Sequence, residues 1–120
     1  METIKLQIGT VVSMNAGTQD LTRPVEFVGE KLAARTEYDY DDRRGGPTDT
    51  RGASETLYRT EDGRLVVYVE DWSRWRGEPD TYSLVEIEQE DLSVNGRFEA
   101  LGREAGMGRP LTLDEALAEA

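Results

Sequence analysis

Four groups of residues carry side chains that could do chemistry. Asp39-Tyr40-Asp41-Asp42 gathers carboxylates of the kind that ligate hard cations. Trp72-Ser73-Arg74-Trp75-Arg76 interleaves indole rings with guanidinium groups. Glu86, Glu88, Glu90 and Asp91 form a run of acids. Gly102, Gly106 and Gly108 form a glycine-rich stretch.

Two of these fit a structural reading better than a chemical one. The carboxylate cluster lacks the D-x-D-x-D-G spacing of a calcium loop, and Arg43 and Arg44 follow directly, so pairing with its own arginines competes with any metal. The glycines lack the G-x-x-x-x-G-K-[ST] order of a phosphate loop, and no strand precedes them. A helix cap and a tight turn account for them. Ser54, Ser73, Ser83 and Ser93 lack a G-x-S-x-G context, and the chain has no histidine to activate them. Histidine and cysteine are both absent, which excludes disulfides, zinc or haem held by those ligands, thiol catalysis and histidine-based triads. No catalytic residue, metal or cofactor is expected.

The aromatic–arginine segment is the most unusual feature. Tryptophan and arginine dominate binding hot spots because they bring large area and planar hydrogen bonding. They also stack on unpaired bases. The structural alternative has one tryptophan closing the core and the arginines pairing with Glu70, Asp71, Glu78 or Asp80. Arg59 and Arg64 lie on the neighbouring strands, which suggests an arginine-lined face. Trp72, Arg74, Trp75 and Arg76 are the expected binding residues. Glu86, Glu88 and Glu90 alternate, so on a strand they would line one face about 7 Å apart. That pitch matches phosphates along one DNA strand, and it motivates an acidic face of Glu86, Glu88, Glu90 and Asp91. Charge placed simply to keep an edge strand from aggregating explains the same run.

The elements that position these groups follow from pattern. The chain has 120 residues, enough for one domain, 1–120, with a radius of gyration of about 14 Å. Ile4, Leu6 and Ile8 alternate with polar residues, a half-buried strand that continues through Val11 and Val12 past a bulge at Gly9. Val25 and Phe27 start a second extended run, and 30–35 reads as strand or short helix. Residues 39–54 combine glycine, proline and both charge signs, the composition of a long, flexible surface loop. A meander spans 55–88. Asp62-Gly63 turns the first hairpin, Leu65–Val69 carries apolar residues on both faces, and Thr81–Glu88 returns with a bulge near Leu84. Phe98, Leu101 and Ala105 form one helical stripe capped by Gly106. Thr112 and Glu115 make a capping box for a last helix, with Leu113 and Leu117 on one face. The expected fold is α+β: a twisted antiparallel sheet of four to five strands with two short C-terminal helices packed on one face. Such meanders occur in many small modules and carry no functional information by themselves.

Charge bounds the partners. There are 25 acidic and 14 basic residues, a net charge of −11. Residues 61–120 hold most of the imbalance, fifteen acidic against six basic. Direct nucleic-acid or anionic-membrane contact is therefore disfavoured, and basic partners are attracted. No apolar run approaches a membrane span, the N-terminus lacks a signal-peptide core, and a cytoplasmic location is expected. Three functions remain. One is a non-catalytic interaction or regulatory domain that binds a protein partner or itself through the aromatic–arginine patch. Another is an acidic nucleic-acid mimic that inhibits a DNA- or RNA-binding protein. The third is a carboxylate-based metal or small-ligand binder with Asp39, Asp41 and Asp42 at a sheet mouth.

Overall fold

In the computed structural model the chain folds around one antiparallel sheet that closes on itself. The structure describes residues 1–14, 17–41, 46–73, 79–107 and 112–119. Six strands run as β1 (Glu2–Met14), β2 (Gly17–Asp20), β3 (Arg23–Asp41), β4 (Gly46–Thr60), β5 (Leu65–Ser73) and β6 (Pro79–Ile87). Their order is β2-β1-β3-β4-β5-β6, and β6 returns to pair with β1. The result is a five-stranded barrel of β1, β3, β4, β5 and β6, with β2 as an extra strand. A short 3₁₀ turn (Gln89–Leu92) and two short helices, α1 (Glu99–Ala105) and α2 (Leu113–Glu119), complete it.

The alternation read in the sequence becomes the two sides of the barrel wall. Ile4, Leu6, Ile8, Phe27, Tyr58, Val66, Tyr68, Tyr82 and Leu84 fill the inside. Phe27 meets Tyr58 edge to face, with ring centroids 5.6 Å apart, the geometry that ring quadrupoles favour. Leu57, Val67, Leu65, Val85 and Ile87 point outward and are covered by Leu92, Phe98 and Leu101. β5 is thus apolar on both faces because both are buried. β6 works the same way: it pairs in unbroken register with β5 from Leu65↔Ile87 to Asp71↔Thr81. No bulge separates Leu84 from Val85; one faces the barrel interior and the other faces α1.

α1 matches the expected stripe. Leu101 is fully buried, and the helix ends at Gly106 in the left-handed region, φ 66°. α2 departs from expectation. Leu113 and Leu117 are 74% and 62% exposed, so the last helix leaves its apolar face uncovered instead of packing on the sheet. The side chain of Glu115, the second member of the expected capping box, lies outside the described residues.

Two further readings change. Residues 30–35 are strand, with a register shift between Lys31 and Ala33. Residues 39–41 and 46–54 are also strand where a loop was expected: Tyr40 pairs with Pro47 and Asp41 with Gly46. Backbone pairing between the two strands overrides a composition that favours a loop. The β3–β4 ribbon continues five residues past the end of β5, about 16 Å. That extension raises the radius of gyration to 17.2 Å, above the roughly 14 Å of a compact chain of this length. No helix among the described residues is long and apolar enough to cross a membrane.

Candidate functional site

The barrel closes along a short seam. β1 pairs with β3 from Glu2 to Ile8, then with β6 from Gly9 to Val12. Gly9 makes the changeover with φ at 129°, a value side chains rarely adopt. A Cβ there would lie 2.7 Å from the Leu21 carbonyl oxygen, so the position needs glycine for space as well as conformation. Opposite it, the chain turns between β2 and β3. The Leu21 amide donates to the Thr10 carbonyl at 2.9 Å, and Asp20 accepts from both the amide and the hydroxyl of Thr22, at 2.9 and 2.5 Å. Those two bonds hold the Asp20 carboxyl below the usual carboxylate range.

Beyond Gly9↔Tyr82 the two strands part. Residues Glu2–Ile8 of β1 keep only β3 as a neighbour, and Ser83–Ile87 of β6 keep only β5. A cleft of about 410 Å³ opens along the unpaired stretch. β1 contributes Lys5, Leu6, Gln7 and Val11 to it, and Asp20 and Thr22 form one corner. Tyr68, Glu70 and Tyr82 make the floor. The two tyrosine rings lie nearly parallel, 14° apart, with centroids separated by 6.4 Å. The Tyr68 hydroxyl donates to the Gln7 carbonyl at 2.6 Å. Gln7 lies just past the point where β6 stops pairing with β1, so the tyrosine supplies the donor that strand pairing does not.

Burial pushes both tyrosine hydroxyls up from their ordinary range. The Glu70 carboxylate adds to this at Tyr68, and Asp80, Glu70 and Asp20 add to it at Tyr82. These phenols stay neutral at physiological pH and act as hydrogen-bonding, ring-bearing surfaces. The cleft therefore combines flat aromatic area, fixed negative charge and free backbone edges, an arrangement suited to recognition.

A second cleft, of about 460 Å³, lies by the β4–β5 turn between Phe27, Val28, Thr60, Glu61, Asp62 and Arg64. Pairing among four residues occupies most of its polar side chains. The Thr60 hydroxyl donates to Asp62, and Arg64 grips Glu86 through two bonds of 2.9 and 3.1 Å.

No protein family, curated protein or solved structure matched the chain.

The residues singled out in the sequence are dispersed. Trp72 is half-buried near the end of β5 and lies across Gly52, where a Cβ would overlap the indole. Arg74, Trp75 and Arg76 lie outside the described residues. Arg59 and Arg64 do not join Trp72 in one face. Arg59 pairs with Leu65 and Gly52 with Trp72, so Arg59 is about 23 Å along the sheet from Trp72, and its guanidinium faces Glu30 at 3.4 Å. Arg64, at the same far end, is held by Glu86.

The acidic row also breaks. β6 ends at Ile87, and Glu88 begins the 3₁₀ turn, in which the Asp91 carboxylate accepts from the Glu88 amide at 2.9 Å. Glu88 is still extended and the turn starts after it, so Glu90 no longer continues the strand row of Glu86 and Glu88, and Asp91 works as a cap. The side chains of Asp39, Asp41 and Asp42 lie outside the described residues. Among the described residues, no three carboxylates converge as a metal site requires.

Sequence reasoning missed Gln7, Asp20, Glu70 and Tyr82. One signal was available. Tyr68, Glu70 and Trp72 share one strand face, and the meander puts Tyr82 opposite Glu70. Nothing local announced that β1 would complete the site.

Proposed function

We propose that the chain is a non-catalytic protein-interaction domain whose partner docks on the aromatic side of the barrel. The contact runs from the β1–β6 cleft along the inner face of β5 to the Trp72–Arg76 segment. Tyr68, Glu70 and Trp72 succeed one another on that face, about 7 Å apart. Tyr68 is buried, and the half-buried Tyr82 and Trp72 offer the aromatic area that anchors protein interfaces, beside carboxylates that favour a basic partner.

The observation that carries this reading is the unfinished seam. A barrel that closes over only four residue pairs leaves two strand edges available beside stacked tyrosines. Proteins usually cover or blunt such edges because they recruit other strands.

The test uses a photo-reactive amino acid placed at Ser83, beside the cleft, or at Glu104, on α1. Cross-linking to a defined partner, or to a second copy, from position 83 but not from 104 supports the reading. It should weaken when Trp75 and Arg76 are both replaced by alanine. Cross-linking from 104 alone, or none from 83 under conditions where the domain is folded, removes it.

A further inference from the structure

We infer that the β1–β6 seam accepts an extended, lysine- or arginine-bearing segment of a protein partner as an added strand, with a cationic side chain seated against Glu70 and Tyr82. This rests on the interaction-domain reading and specifies its partner.

The backbone argument comes first. The Gln7 carbonyl faces the seam, since it accepts from Tyr68 there. In an antiparallel strand the amide and carbonyl of a residue point the same way, and the direction repeats every second residue. The backbone groups of Lys5 and Thr3 therefore face the seam too, and neither has a strand on that side. A guest segment gains main-chain hydrogen bonds along this edge while alternate side chains enter the cleft.

Charge chooses the guest. Glu70 lines the cleft with Tyr68 and Tyr82; it stands directly opposite Tyr82 in the β5–β6 register and two residues from Tyr68 on the same strand face. Among the described residues, no lysine or arginine pairs with it. Asp20 sits at the adjoining corner. A cation in this position meets the Glu70 carboxylate beside the half-buried Tyr82 ring, and partial shielding from water strengthens both attractions. A second copy of the chain is a poor guest, because each copy carries a net charge of −11.

The experiment titrates the full isotope-labelled chain with a ten-residue peptide of alternating lysine and threonine, followed by amide NMR shifts. The matching peptide of alternating glutamate and threonine serves as control. We expect saturable shifts at Thr3, Lys5 and Ser83–Ile87 with the lysine peptide alone. Affinity should fall about tenfold or more in Glu70→Gln, the loss of one charge-assisted contact. Lys5→Pro, which removes an edge amide, should bind at least as poorly. Lys5→Val keeps the amide and removes a like charge, so it should bind equally or better. Circular dichroism verifies that each variant is folded, and Glu70→Gln stands as the test if Lys5→Pro does not fold.

Non-saturating shifts spread over the acidic surface would overturn the proposal, as would equal binding of the glutamate peptide or unchanged affinity in Glu70→Gln. Absence of peptide binding, together with cross-linking of a partner from position 83, would remove strand addition by a basic segment and leave the interaction domain standing. Absence of both would remove the two together.

Discussion

The Tyr68 hydroxyl reaches across the barrel interior to the Gln7 carbonyl at 2.6 Å, and this one bond spans the seam where β1 and β6 no longer pair. It makes Tyr68 a substitute for a missing strand. The ring fills the interior, and the hydroxyl satisfies a backbone acceptor.

Tyr68→Phe separates these roles. The ring stays, and the Gln7 carbonyl loses its donor. The expected cost is about 1 kcal/mol of stability, the usual net worth of such a bond. Tyr68→Ala also loses the buried ring and should cost about 3–5 kcal/mol. Urea denaturation of both variants checks the pair. Equal costs would mean that the hydroxyl bond carries no stability of its own.

The same tyrosines set an alkaline limit. Burial is the first cause of the raised values of Tyr58, Tyr68 and Tyr82. A group whose native value lies above its unfolded one stabilises fully below the unfolded value, about 10, and that contribution is lost as pH rises through the native value. Stability should therefore hold to about pH 10 as far as these groups govern it, and fall above it. Tyr68→Phe should soften the fall. Absorbance at the tyrosinate band would show late ionisation of these three rings, and ordinary ionisation of all of them would contradict the assignment.

Much of this fold was legible because its signals are local. Asp62-Gly63 marks a hairpin, and Phe98, Leu101 and Ala105 mark a helix capped by Gly106. The seam was not legible, since Gly9–Val12 meet Pro79–Tyr82 some seventy residues away and no local pattern encodes that encounter. The double apolar phase of β6 implies a bulge only for a strand covered on one face; here Leu84 packs inside the barrel and Val85 outside it, so the strand runs without one. In the site, Tyr68 and Tyr82 were visible as strand residues. Their company with Gln7 and Asp20 depends on closure, so it appears only in three dimensions.

The two helices should differ sharply in what they contribute. Leu101 of α1 is fully buried against Leu57 and Val67, so Leu101→Ala should cost about 2–5 kcal/mol. Leu113 and Leu117 of α2 are exposed, and alanine at either should change stability by less than about 0.5 kcal/mol. Thermal and urea unfolding measure both. A large loss at Leu117 would show that α2 packs on the domain in solution.

Gly9 offers the most direct test of how the seam is built. Alanine there meets two obstacles: φ of 129°, and the Leu21 carbonyl oxygen 2.7 Å from the new methyl group. Gly17 has a similar φ of 121°, with no atom within 4 Å of the corresponding position. Gly17→Ala should therefore cost only backbone strain, about 1–3 kcal/mol. Gly9→Ala should cost more than Gly17→Ala, because the added atom must also push the β2–β3 corner away from β1. Amide exchange then reads where that strain goes. Faster exchange at residues 79–82 in Gly9→Ala, with β4 and β5 unchanged, would place the loss at the seam. Equal costs at the two glycines would mean that the corner yields freely and that close approach at Gly9 does not hold the barrel shut.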